Sequence, residues 1–309
     1  MKKLIFNKYK IERIVQNYFP EAQIISYVKF STGLVSPTFK IKINKPSRIL
    51  VVKLSSLKNK KSIDLNNKIL DFLHDLGLPC PNIYFSGIKD KKIITLMSFI
   101  EGKTAYEIFP KLSPLLKKQL LINIGANLRA IHKLAPPSFW KHKKHEVRTI
   151  STWKKWTHKR LLKYNKFLKN KLNEFYPKLE IILRDFFQLL SQTDFQMKPL
   201  HWDYHLQNIN SDLSGDITGI FDFDNAMKGH NLADIGQTCY WIRYHCGDRR
   251  YVEYFLKGYK KKFTSKELIL IKGYEILHIL AVSRSVWYKQ KRLGWLMDLH
   301  KEMLDELLK

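Results

Sequence analysis

The chain reads as an α+β protein of two lobes: a small, mainly antiparallel-sheet lobe over residues 1–98 and a large, mainly helical lobe over residues 99–309. Three observations predict this. The first hundred residues hold short β-branched runs separated by turn residues, with one amphipathic stretch among them. Beyond Glu101-Gly102 the apolar period changes to that of helices. Between two long helical patterns lies one irregular, Asp-rich island, residues 198 to 224.

Each element follows from local pattern. Residues 11 to 19 have helical spacing. Ile24 to Phe30, Thr38 to Ile43 and Arg48 to Leu54 read as strands, divided by Ser31-Thr-Gly33 and Asn44-Lys-Pro46. Ser62 to Leu76 reads as a helix with Ser62 as its cap, apolar at Ile69, Leu73 and Leu76, and closed by Gly77 with Pro79 beyond. Asn82 to Ser86 and Lys92 to Ser98 complete the sheet. In the second lobe Leu121, Ile124, Leu128 and Ile131 form a helical stripe, and residues 150 to 190 and 232 to 308 are long helical patterns. Within the island, short strands are expected near Leu206 to Asn210 and Ile217 to Asp222, joined by a turn through Ser214-Gly215-Asp216. A sheet lobe, a connector and a helical lobe predict a ligand cleft between lobes.

Composition narrows the classes. Of the 309 residues 45% are apolar, enough for a sizeable core, and no apolar run reaches the roughly 18 residues of a membrane helix. Lys8 and Lys10 interrupt the N-terminal stretch before a signal-peptide core forms. Cys80, Cys239 and Cys246 are odd in number, widely placed and without a CxxC. These features predict a cytoplasmic protein. The formal net charge of +28 raises nucleic acid as a partner. Most of the excess is scattered lysine, however, as on a solvated surface, so nucleic acid is not the expected partner. Residues 141 to 180 carry 13 Lys or Arg against 3 Glu, whereas residues 194 to 234 carry 7 Asp against 2 Lys. Clustered carboxylates repel one another, and a divalent cation relieves that repulsion.

The chemistry concentrates in His201-Trp-Asp203-Tyr-His-Leu-Gln-Asn208 and Ile220-Phe-Asp222-Phe-Asp224. A carboxylate to orient a hydroxyl, plus an amide and a carboxylate to hold Mg²⁺, are the parts of a phosphoryl-transfer site. Asp203 is the candidate base. Asn208 and Asp222 offer hard oxygen ligands, and the hairpin between them is expected to bring them together. Asp224 is either a further metal ligand or a supporting acid. His201-x-Asp203-x-His205 can also be read as a transition-metal site, but no third His or Cys follows at ligand spacing. His201 is expected to be buried and bonded to the loop. No G-x-S-x-G occurs, which disfavours a serine hydrolase. At the nucleotide end, Ser31, Thr32 and Gly33 can fold over phosphates, and Lys53, closing an apolar strand, can reach them. The connector Met97-Ser98-Phe-Ile100 offers backbone groups to a base.

In this order the residues resemble the aminoglycoside phosphotransferase and choline kinase superfamily, small-molecule kinases with the protein-kinase fold. The resemblance spans roughly residues 25 to 240. It is strongest in Leu200 to Ile209, Phe221-Asp-Phe-Asp224 and Asp234-Ile-Gly236, with support from Gly77-Leu-Pro-Cys-Pro81, Ile100-Glu-Gly102 and Ile124 to His132. It implies a two-lobed protein-kinase-like fold and an ATP- or GTP- and Mg²⁺-dependent transfer to a small-molecule hydroxyl, of an amino sugar or an amino alcohol. It implies Asp203 as base, Asn208 and Asp222 as Mg²⁺ ligands, Lys53 as the phosphate lysine, and Asp234 as the acid that braces the catalytic loop from behind. Two positions depart from the pattern. Asn66 stands where the family has a Glu that pairs the lysine; it shares a helical face with Ile69, Leu70 and Leu73, and its amide can bond Lys53 without neutralising it. Trp202 replaces the usual Gly after the first His. Asn66 is the one feature favouring the alternative of a catalytically inactive, kinase-shaped nucleotide binder. Aromatic residues of the helical lobe (Trp153, Trp156, Tyr240, Trp241, Tyr244, Trp287, Trp295) are candidates to stack on an acceptor or cage an ammonium group, against the plainer reading that they are core.

Overall fold

The computed structural model describes residues 8–30, 36–140, 147, 149–289 and 294–308. In chain order the elements are α1 (Lys8–Gln16), β1 (Ile24–Lys29), β2 (Thr38–Ile43), β3 (Arg48–Ser56), α2 (Lys60–Asp75), β4 (Ile83–Lys89), β5 (Lys92–Ser98), β6 (Lys103–Thr104), α3 (Ala105–Ile108), α4 (Pro114–Lys133), α5 (Ile150–Lys171), α6 (Tyr176–Gln192), β7 (Lys198–Leu200), β8 (Ile209–Ser211), β9 (Ile217–Ile220), β10 (Met227–Gly229), α7 (Asn231–Cys246), α8 (Arg249–Tyr259), α9 (Ser265–Lys289) and α10 (Gly294–Leu308). The chain forms two compact units. One comprises Met1–Gly102 with Thr218–Asp224, the other Lys103–Ile217 with Asn225–Lys309. Among the described residues no helix is long and apolar enough to cross a membrane.

The N-terminal unit is a five-stranded antiparallel sheet in the order β1-β2-β3-β5-β4. Side chains alternate across a strand, so Leu50, Val52 and Leu54 of β3 and Ile94 and Leu96 of β5 share one face with Ile11, Ile14 and Val15 of α1. The opposite face carries Lys53, directly across from Thr95 in the register. A two-residue turn links β4 to β5, with both Asp90 and Lys91 at positive φ, the twist that suits a tight hairpin.

Helix α2 starts earlier than the sequence suggests. Ser56 accepts the N–H of Lys58 (3.4 Å) and opens a 3₁₀ turn that leads straight into the helix, so Ser62 is no cap. Ser62 lies inside α2, buried, and its hydroxyl donates to the carbonyl of Asp224 (3.4 Å). The C-terminus closes as the Gly at 77 predicts. Gly77 has φ +75°, and the Leu78 N–H returns to the Leu73 carbonyl (3.0 Å).

Segment 218–224 groups with the N-terminal unit. The cause is hydrogen bonding. Ile220 N–H donates to the Pro79 carbonyl (2.7 Å), Thr218 Oγ1 to the Glu101 carbonyl (2.8 Å), and Phe223 N–H to Asn66 Oδ1 (2.9 Å). The strand expected over Ile217 to Asp222 therefore ends at Ile220; Asp222 turns into the left-handed region at φ +62°.

The second unit is helical. The stripe Leu121, Ile124, Leu128 and Ile131 of α4 is fully buried. Ser113 caps this helix with Pro114 at its first turn. Tyr204 anchors the Asp-rich loop to the same helix by donating to the Ile124 carbonyl (3.1 Å). Strands β7 and β10 pair antiparallel through Leu200 and Met227. Beside them Gly229 is required, because a Cβ there would stand 2.0 Å from the ring of Trp153.

Candidate functional site

The loop after β7 is set by one buried carboxylate. Asp234, fully buried in the first turn of α7, accepts the N–H of His201 on Oδ2 (2.8 Å) and of Trp202 on Oδ1 (2.9 Å). Its Oδ2 also meets His132 Nε2 at 3.1 Å. This clamp holds Trp202 at φ +63°. A left-handed backbone costs a non-glycine residue about 1–2 kcal/mol, which the two charge-assisted bonds offset. His201 is fully buried and meets Tyr204 edge-on at 5.4 Å between centroids.

Asp203 follows directly, with 27% of its side chain exposed. Its Oδ1 lies 3.5 Å from His205 Nε2. Gln207 N–H donates to His205 Nδ1 (3.2 Å), and the Asn208 amide nitrogen Nδ2 lies 3.1 Å from His205 Nε2. Burial, then the neighbouring His245 and His201, push the His205 pKa down to about 3, so the ring is neutral. The expected strand from Leu206 gives way to a 3₁₀ turn, Leu206–Asn208, before β8, because the Asn208 N–H closes on the His205 carbonyl (2.9 Å). Asn208 Nδ2 donates to the Asp203 carbonyl (2.9 Å). With the amide nitrogen so engaged, Asn208 Oδ1 accepts no hydrogen bond among the described residues.

The sites of the N-terminal unit form a second group. Asp222 is exposed, and among the described residues it makes no ion pair. Lys53 is half-buried on the α2 side of the sheet. Asn66 does not bond Lys53. Its Oδ1 accepts Phe223 N–H, one residue beyond Asp222, and its Nδ2 donates to Asn67 Oδ1 (3.1 Å). Asn67 Nδ2 continues to Ser86 Oγ (2.9 Å) and Thr95 Oγ1 (3.4 Å). Both amides are buried, so the unit contains a neutral relay from the Asp222 segment to strands β4 and β5. The inward face expected of Asn66 is correct; the partner is a backbone N–H instead of the lysine.

Asp224 is half-buried beside this relay, its carbonyl held by Ser62. Ser98 Oγ accepts the Asn82 N–H (2.9 Å), and Ser98 lines a cleft of about 410 Å³ with Lys42, Ile49, Tyr84, Phe99 and Glu101. Ile100 packs against Gly219. Ser31, Thr32 and Gly33 lie outside the described residues. Thus His201, Asp203, Asn208 and Asp234 stand together in the helical unit, and Lys53, Asn66, Ser98, Ile100, Asp222 and Asp224 belong to the N-terminal unit.

The sequence reading missed Asn67, His132 and Arg160. Two adjacent amides in an apolar helix were the available signal for Asn67. Arg160 is flagged by Trp156 four residues before it and Tyr164 four after, one helical face. Its guanidinium lies over the rings of Trp156 (4.8 Å), Trp202 (5.6 Å) and Tyr164 (5.9 Å). Trp153, one of the candidate acceptor rings, is fully buried and donates to Tyr274 (2.9 Å), so it is core; Trp295 and Trp287 are exposed.

Comparison with known proteins gives a consistent picture. The sequence matches the phosphotransferase enzyme family (APH) over residues 26–269. No curated protein matches the chain. A thermostable mutant of aminoglycoside phosphotransferase APH(4)-Ia, solved with AMP-PNP and hygromycin B, superposes with a TM-score of 0.67 at 14% identity, over 96% of this chain and 98% of that one. The GDP complex of wild-type aminoglycoside 2'-phosphotransferase-IIIa gives 0.63 at 14% identity, covering 98% of both. An aminoglycoside-3'-phosphotransferase of type VIII gives 0.52 at 14% identity, over 86% of this chain and 98% of that one. At such identity the likeness is one of fold.

Proposed function

The chain belongs to the phosphotransferase enzyme family, and from that membership we propose that it moves the γ-phosphoryl group of ATP or GTP, with Mg²⁺, onto a hydroxyl of a small molecule. The observation that carries this reading is the Asp203–Asn208 loop: a part-exposed carboxylate and an amide anchored through its nitrogen, in a loop fixed by a buried acid that reaches neither. Asp203 takes the proton of the acceptor hydroxyl as its oxygen bonds to the γ-phosphorus; the bond from that phosphorus to the bridging β-oxygen breaks, and the nucleoside diphosphate leaves. Asn208 and Asp222 are assigned to Mg²⁺, for which the oxygen of an amide anchored through its nitrogen and a carboxylate that makes no ion pair among the described residues are suitable hard donors. When bound, Mg²⁺ neutralises charge on the phosphate oxygens.

Lys53 is assigned to the phosphates, with Ser31, Thr32 and Gly33 over them, and the backbone of Ser98 to Ile100 to the base. Solved relatives hold AMP-PNP or GDP, so both adenine and guanine nucleotides are donors to test. Their names specify aminoglycosides, which makes an amino sugar the first acceptor class to try and an amino alcohol the second.

The test is thermal unfolding with nucleotide alone and with nucleotide plus Mg²⁺. A ligand at a hundred times its Kd stabilises by about 2.7 kcal/mol. The midpoint should rise several degrees more with Mg²⁺ than without, and Asn208→Ala and Asp222→Ala should each erase the difference. Equal shifts with and without Mg²⁺ would remove both residues from the metal.

A further inference from the structure

We propose that Arg160 is a recognition site for an oxyanion, a carboxylate or phosphate, carried by the acceptor, so that this enzyme acts on a hydroxyl compound that is itself anionic. The proposal rests on the phosphotransfer reading above and specifies the acceptor at that same loop.

Arginine presents five N–H donors around the edge of a planar cation. Arg160 is only half-exposed, yet among the described residues neither an ion pair nor a hydrogen bond uses any of those donors. Among the described residues its guanidinium lies over three aromatic rings, those of Trp156, Trp202 and Tyr164. Rings stabilise the charge through their π-faces but supply no acceptor to the N–H edge. Arg243 in the same unit shows the alternative, with Glu275 at 2.7 Å and Glu306 at 2.9 Å. A guanidinium fixed by rings and left with its donors unspent is preorganised for the bidentate grip that carboxylate and phosphate accept.

Residue type and place point the same way. Helix α5 carries seven lysines and this single arginine. The lysines lie mostly on the exposed face; Arg160 follows the inward line of Trp153, Trp156 and Tyr164. Only arginine combines ring stacking with a planar fork, so a lysine would not be equivalent here. One of its rings belongs to Trp202, the neighbour of Asp203, held in a left-handed backbone by Asp234. Trp202 also contacts Trp153 (5.8 Å) and Trp156 (5.6 Å), so the ring is locked. The catalytic carboxylate and the stacked cation are thus tied to one rigid dipeptide, which lets an acceptor present its hydroxyl to Asp203 and its oxyanion to Arg160.

The experiment measures binding and turnover on the full chain. Glycerate, glucuronate and inorganic phosphate are titrated in the presence of Mg–AMP-PNP at fixed ionic strength, with chloride as the control, and tryptophan fluorescence is read because Trp156 and Trp202 flank the site. At least one oxyanion should saturate the signal, with Kd rising tenfold or more in Arg160→Gln and less in Arg160→Lys; unchanged melting of the Lys variant serves as the folding control. In turnover, glycerate should exceed glycerol, and glucuronate should exceed glucose, with the Gln variant losing the advantage through the acceptor KM. No saturable oxyanion binding, binding indifferent to Arg160, or a preference for hygromycin B or choline over every anionic acceptor overturns the proposal. Loss of the Mg–nucleotide thermal shift instead overturns the phosphotransfer reading, so the two failures are distinguishable.

Discussion

Asp234 shows how much one side chain can settle. Its two oxygens take two successive backbone N–H groups and a histidine from α4, all inside the protein. Acceptance by a charged oxygen is worth roughly twice a neutral bond, and a donor left unmatched in the interior costs about 1–3 kcal/mol. Asp234→Asn keeps the shape but offers one acceptor oxygen, and turns an N–H toward an N–H. The expected outcome is a loss of about 1–3 kcal/mol in denaturant unfolding, a kcat lowered tenfold or more, and a nucleotide Kd within about twofold of the parent. The split matters, because Asp234 touches no substrate and acts by holding Trp202 in its left-handed turn. An equal fall in nucleotide affinity would show that the whole unit had loosened.

At the scale of an element, α2 couples the sheet to the Asp222 segment through the amides of Asn66 and Asn67. Asn66→Ala leaves the Phe223 N–H and Asn67 Oδ1 buried without their partners. Stability should fall by about 1–3 kcal/mol, and the Mg²⁺-dependent part of the nucleotide thermal shift should shrink, since the residue before Phe223 is the assigned metal ligand. A shift unchanged in size would mean that Asp222 needs no help from α2. Much of this element was legible beforehand. Helical spacing put Asn66 on the inward face, and Gly77 marked the end because only a residue free to take positive φ closes a helix so tightly. The strands were legible for a similar reason, since β-branched runs between turn residues leave few alternatives. What stayed hidden was tertiary. A Ser at 62 resembles a cap, and nothing in the local pattern says that Ser56 has already opened the turn. An Asn in place of a Glu suggests a weakened pair with Lys53, and only the fold reveals the backbone N–H that it serves. The ring stack on Arg160 involves Trp202, forty-two positions away, a contact that no helical period could disclose.

At the scale of the whole molecule, the basic surface draws attention, but the interior governs the response to pH. His230, His245, His278 and His300 have pKa values pushed down to about 3, 4, 3 and 4, in each case chiefly by burial. They are neutral in the folded chain and would protonate near pH 6.5 once unfolded. Because the unfolded state then binds more protons, their contribution to stability is complete above about pH 6.5 and is lost as pH falls toward 4. Glu275 acts in the opposite sense. Burial raises its pKa to about 7 in spite of Arg243, so its ionisation lowers stability as pH climbs from the ordinary carboxylate range to 7. With His205, lowered to about 3 in the same way, five histidines outweigh one glutamate between pH 5 and 6, and unfolding should take up at least about three protons. Calorimetry in two buffers of different ionisation enthalpy measures that number directly, alongside a melting midpoint that drops steadily from pH 7 to 5. His278→Gln should reduce the uptake by about one proton, because the imidazole, enclosed among Tyr240 and Trp241, is the group that cannot charge while folded. A midpoint independent of pH across this range would place these rings in contact with water and contradict the packing of α7 against α9.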